Sequence, residues 1–127
     1  MSIEQFVTST RKGLRFKNIG LSFKSEGTDV GLTATTIDSF DPNYISAAHY
    51  TILAETKDGD KETLNANLVS TNSDVYYTVF GRINTGTDLL SITSSIDHGL
   101  VVLQASTTES DVKVSLIKHY SENIQFD

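Results

Sequence analysis

From residue 48 onward, apolar side chains fall at every second position in short runs separated by turn-forming residues. Tyr50, Ile52 and Ala54 share one phase. Leu64, Ala66 and Leu68 share another, alternating with Thr63, Asn65 and Asn67. A period of two sends successive side chains to opposite faces of a strand, so each run offers one face to a core and one to water. Val75 to Arg82 differs. Tyr76, Thr78 and Phe80 lie on one side and Val75, Tyr77 and Val79 on the other, apolar or aromatic on both, which predicts a central strand. Leu90, Ile92, Ser94 and Ile96 alternate next. Leu100 to Ala105 is a continuous apolar run of the buried-strand kind, and Val112, Val114, Leu116 and Lys118 close the series. Turns are expected near Gly59, Asn72, Gly86, Gly99 and Ser110, where Gly, Asn, Asp and Ser cluster. The predicted core holds Ile52, Leu64, Leu68, Phe80, Leu90, Ile92, Leu103 and Leu116.

Six strands with turns at short, regular spacing predict an all-β chain, an antiparallel β-sandwich of jelly-roll or Ig-like type with an irregular N-terminal arm. Residues 48–127 form the sandwich body. Residues 1–47 form the arm and additional strands of the same domain. Within them Phe16, Ile19, Leu21 and Phe23 suggest one strand and Val30 to Thr36 another, with Gly13, Gly20, Gly27 and Gly31 as interruptions. Ile3 to Thr8 is the one stretch that tolerates a turn or two of helix.

Composition narrows the function. The chain has 127 residues, room for one domain, with no cysteine to supply a disulfide, a thiolate ligand or a nucleophile. Its net charge of -6 argues against nonspecific nucleic-acid binding, which needs a positive surface. No apolar run approaches membrane-helix length, and Met1 to Phe6 has neither the basic nor the long apolar region of a signal peptide. Nucleotide-binding, esterase and zinc-protease motifs are all missing from the sequence. His49, His98 and His119 are too scattered in sequence to read as ligands, and His49 and His119 fall at opposite ends of the strand series. Asp58-Gly59-Asp60-Lys61-Glu62 reads as a hairpin turn and lacks the sixth-position Gly and the twelfth-position Glu of a calcium loop. Tyr44, Tyr50, Tyr76 and Tyr77 suit sugar stacking, but suit core or cross-strand packing better. The expectation is a non-enzymatic protein that needs no cofactor or metal. Arg11, Lys12, Arg15 and Lys17 concentrate positive charge in an otherwise acidic chain. With Phe6 and Phe16 they are the candidate partner contacts.

The run Val75-Tyr76-Tyr77-Thr78-Val79-Phe80-Gly81-Arg82, then Leu89-Leu90-Ser91-Ile92, Ile96-Asp97-His98-Gly99, Leu100-Val101-Val102-Leu103 and Asp111-Val112-Lys113-Val114, resembles a β-rich segment of virion structural proteins of tailed bacteriophages, notably marine T4-like ones. The likeness covers roughly residues 48–120 and is a pattern of strands and turns without a catalytic signature. His98 stands where a second Gly is common, and Ala105 to Thr108 where a proline-containing loop is usual. The resemblance implies a virion location, action through protein–protein contacts, and other virion proteins as partners: the major capsid protein or a tail component, and further copies of the chain. Nucleic acid and membrane are not expected partners. Capsid decoration or cementing is the leading role, with a neck, baseplate or tail-fibre part as the alternative. A carbohydrate- or receptor-binding β module is the reading from a different class.

Overall fold

The computed structural model describes residues 8–10, 13–16 and 19–126. They form ten strands: β1 (Thr8–Thr10), β2 (Gly13–Phe16), β3 (Ile19–Val30), β4 (Thr35–Phe40), β5 (Ile45–Thr56), β6 (Lys61–Ser70), β7 (Val75–Asn84), β8 (Leu90–Asp97), β9 (Leu100–Thr107) and β10 (Val112–Glu122). Seven make a large antiparallel sheet in the order β1-β2-β3-β10-β5-β6-β7, and three make a small one in the order β4-β9-β8. All expected turns fall between strands as predicted.

The two sheets bury one core. β5 contributes Ala48, Tyr50, Ile52 and Ala54, β6 contributes Leu64, Ala66 and Leu68, and β10 contributes Val112, Val114 and Leu116. Opposite them lie Ile37 and Phe40 of β4, Leu90 and Ile92 of β8, and Val101, Leu103 and Ala105 of β9. Period-two alternation thus carries over directly into packing.

One strand departs from expectation. β7 is the edge of the large sheet and not a central strand, because among the described residues only β6 pairs with it. Phe80, expected in the core, is 43% exposed. Its backbone partner is Asn65, so it stands on the face turned away from the small sheet. Among the described residues no second layer covers the outer face of this strand, so its apolar side chains there stand exposed.

The N-terminal strand read over Phe16, Ile19, Leu21 and Phe23 falls in β2 and β3, but the expected glycine interruptions differ. β1, β2 and β3 pair as strands of the large sheet, and β3 runs unbroken through Gly20 and Gly27 as far as Val30. Gly20 does not interrupt the strand; it makes room. It pairs with Tyr120, whose ring lies where a Cβ would stand, with Cζ only 1.9 Å from that position. A bare backbone on β3 lets the aromatic ring of β10 lie across it. The strand expected over Val30 to Thr36 is instead a break at residues 31–34, and β4 begins at Thr35.

Candidate binding surfaces and buried polar clusters

The outer face of the large sheet carries an uneven mixture of apolar and polar side chains. Register places Leu53, Val69, Tyr76, Phe80, Ile83 and Ile117 there, all of them exposed. Tyr76 and Ile83, on the edge strand, are 61% and 70% exposed. Between them lie Asn65, Asn67, Thr51 and Thr78. His49 and His119, expected at opposite ends of the strand series, are cross-strand partners on this face with ring centroids 6.1 Å apart. His49 also bonds the Asn67 side chain and tilts against Phe80. Sequence distance between β5 and β10 hid this pairing, since it depends on register. His98 stays apart in its turn, bonded to Asp97. Among the described residues no group of three or more His, Cys, Asp or Glu is placed to hold a metal ion.

A bulge on β7 builds the first buried polar cluster. The β6–β7 register shifts between Thr63 and Asn65, opposite Gly81, which has φ +69. Left-handed backbone is cheap for Gly, and a Cβ here would also stand 2.8 Å from Asn65 Nδ2. Strict alternation would put Arg82 on the outer face with Phe80. The extra residue turns it inward, where its Nη1 donates to Glu62 Oε2 at 2.8 Å and to the Leu90 carbonyl at 3.0 Å. Glu62 has a fully buried side chain. It also accepts from Leu90 N at 2.8 Å, Leu89 N at 3.2 Å and Asn84 Nδ2 at 3.1 Å. Burial pushes the Glu62 carboxyl up, but the bonds from Asn84, Leu90, Arg82 and Leu89 together outweigh it and hold the group below the usual carboxylate range. One carboxylate thus fastens the start of β8, in the small sheet, to β6 in the large one.

A second cluster joins the sheets through β10. Lys118 continues the inward series Val112, Val114, Leu116, and its Nζ lies 2.9 Å from Asp38 Oδ2 on β4. Tyr50 donates its hydroxyl to the same oxygen at 2.6 Å. Burial, and after it the neighbouring Asp38 charge, pushes the Tyr50 hydroxyl well above its usual range. The rings of Phe40, Tyr120 and Tyr50 stand 4.9, 5.4 and 5.8 Å from the ammonium. Both clusters had a sequence signal: Glu62 and Lys118 occupy inward phases of their strands, and an inward charge requires a partner.

Of the candidate contacts read from sequence, Phe6, Arg11, Lys12 and Lys17 lie outside the described residues. Arg15 and Phe16 belong to β2, where their backbones pair with Gly20 and Ile19. Among the tyrosines, Tyr50 is core, while Tyr44, Tyr76 and Tyr77 are exposed. The Asp58-Gly59-Asp60 segment is the β5–β6 hairpin turn, closed by Thr56 N donating to the Asp60 carbonyl at 2.9 Å.

No protein-family model matches the chain, and no curated protein matches it in sequence. Solved structures with a similar course of strands include the tailspike protein gp49 of Acinetobacter baumannii bacteriophage Fri1, a capsular polysaccharide depolymerase, with a TM-score of 0.49 and 12% identity. The tailspike protein of Acinetobacter phage vB_ApiP_P1 gives 0.46 and 14%. They align over 95% and 93% of this chain, which spans only 21% and 23% of theirs.

Proposed function

We propose that this chain is a structural subunit of a phage virion, acting through protein–protein contacts, and that its specific role is capsid decoration or cementing. The observation that carries the contact part of this reading is the outer face of the large sheet. Six large apolar side chains are exposed on it, and it runs out to β7, an edge paired only with β6 among the described residues. Natural sheets blunt free edges with Lys, Pro or a covering element. β7 contains neither Lys nor Pro, and its one charged side chain, Arg82, is turned inward to Glu62. An uncovered edge beside an apolar face is the form of a surface that meets another protein. The virion part rests on the strand-and-turn resemblance of residues 48–120.

Mass spectrometry of purified heads and tails tests the location. Decoration predicts many copies per particle, confined to heads. Few copies, confined to tails, would move the chain to a neck, baseplate or fibre. Its absence from both would end the virion reading.

A second reading has its own observation. Tyr76 and Phe80 stand exposed beside Asn65, Asn67 and His49, which gives aromatic faces flanked by amide and imidazole groups, a combination suited to a saccharide. Glycan-array binding that disappears in Phe80→Ala supports it, and a blank array removes it.

A further inference from the structure

Lys118, Asp38 and Tyr50 form an arrangement that a salt bridge alone does not account for. Buried ion pairs are often no more stabilising than apolar side chains of the same size. Here a primary amine is held 2.9 Å from a carboxyl oxygen, with side chains only 7% and 13% exposed. A phenol donates to that same oxygen at 2.6 Å. Three aromatic rings enclose the amine. Amine, carboxyl oxygen and hydrogen-bond donor are therefore in contact, in a largely buried site.

The geometry points to a self-formed amide cross-link between Lys118 Nζ and Asp38 Cγ, tying β4 of the small sheet to β10 of the large one. A proton first passes from the Lys118 ammonium to the Asp38 carboxylate, leaving a neutral amine beside a carboxylic acid. Apolar surroundings lower the cost of that exchange, because they favour neutral groups over charges. The Nζ lone pair then attacks Cγ and the C–N bond forms. With the transferred proton on Oδ1, which then becomes the departing oxygen, negative charge develops on Oδ2, which Tyr50 already holds, so the phenol acts as a preorganised oxyanion donor. A second Nζ proton goes to the departing oxygen, the C–O bond breaks, and one water leaves. An ammonium and a carboxylate become an amide and a water, with no oxidant, metal or cofactor. The raised range of the Tyr50 hydroxyl keeps it a donor through neutral pH.

Each part of the cluster has a defined effect. The rings of Phe40 and Tyr120 stand over the amine and help fix it beside the carboxyl oxygen, which replaces a chance encounter by a held pair. Tyr50 is the register partner of Lys118 on β5, and Gly20 on β3 makes the room in which Tyr120 lies. Three neighbouring strands of the large sheet thus set the nucleophile, and β4 brings the acyl group. This inference does not depend on the virion reading.

The test is the intact mass of the full chain under denaturing conditions after incubation at neutral pH, followed by protease digestion. The expected mass is lower than that of the sequence by one water. The digest should contain a branched species joining the peptide with Asp38 to the peptide with Lys118. Lys118→Arg keeps the charge but supplies no acylable amine, and it should keep the full mass. Asp38→Ala, which has neither the acyl group nor the proton acceptor, should likewise keep its full mass. Tyr50→Phe should slow formation by about 10²-fold or more. Wild-type protein that stays at full mass overturns the proposal. So does a water loss that persists in Lys118→Arg, or that maps to Asp58-Gly59 as a backbone imide.

Discussion

Replacing Glu62 by Ala is the sharpest probe of how the two sheets are held together. The carboxylate is fully buried and accepts from Arg82, Asn84 and the backbone N–H groups of Leu89 and Leu90. Removing it leaves two backbone donors and an inward guanidinium facing apolar side chains. Breaking one side of a buried pair typically destabilises by about 3–5 kcal/mol, because the orphaned partners keep their desolvation penalty. Arg82 is 30% exposed, so water partly compensates it and the lower half of that range is expected. Urea unfolding at neutral pH, followed by circular dichroism, reads the effect. With a slope of about 1–3 kcal/mol per molar, the midpoint should fall by about 1 M or more. Glu62→Gln keeps the volume but turns an amide donor toward existing donors, so it should fall between wild type and Ala. The sign of the pH dependence follows from the depressed carboxyl. Its stabilisation is fully present above the unfolded-state range of a glutamic acid and is lost as pH falls through the lower folded value. The gap between wild type and Glu62→Gln should therefore shrink in acid. A midpoint shift too small to measure for Glu62→Ala, or a gap that widens in acid, would refute this account of the cluster.

Three other substitutions separate core from surface. Leu103→Ala, at a side chain 1% exposed, should cost about 2–5 kcal/mol by thermal or urea unfolding, and an unchanged midpoint would remove Leu103 from the core. Gly20→Ala should lower the thermal midpoint because its Cβ meets the Tyr120 ring, and Tyr120→Ala should relieve most of that loss in the double variant; simple additivity would show that the ring does not lie across Gly20. Phe80→Ser should change stability by only about 0.5 kcal/mol or less, as at other surface positions, whereas a loss like that of Leu103→Ala would place Phe80 back inside.

Much of the fold was legible because most of the chain obeys one rule. Where an apolar phase of two ran between Gly, Asn or Asp turns, as in β5, β6 and β8, the strand and its inward face followed directly. β7 failed because its alternation was apolar on both faces, and a local pattern does not say whether a second layer covers the strand or a partner does. In β3 the strand over Ile19 to Phe23 was legible, but its length was not. Its glycines look like breaks in isolation, and their place is clear only beside the cross-strand Tyr120 that fills Gly20. The polar clusters lay between these cases. The inward phases of Glu62 and Lys118 were visible, but their partners were not. Arg82 reaches Glu62 only because the Gly81 bulge reverses its phase, and Asp38 reaches Lys118 from the other sheet. The meeting of His49 with His119 likewise depends on pairing between strands far apart in sequence.

The central claim, that the outer face and the β7 edge dock onto another particle protein, is tested most directly by adding purified chain to particles that lack it. Tyr76→Asp/Ile83→Asp places two charges on exposed positions of that face and edge, where stability should change little. Wild-type chain should bind saturably at a fixed ratio to the shell protein. The double variant, with an unchanged unfolding midpoint, should fail to bind. Equal binding by both proteins would contradict the account.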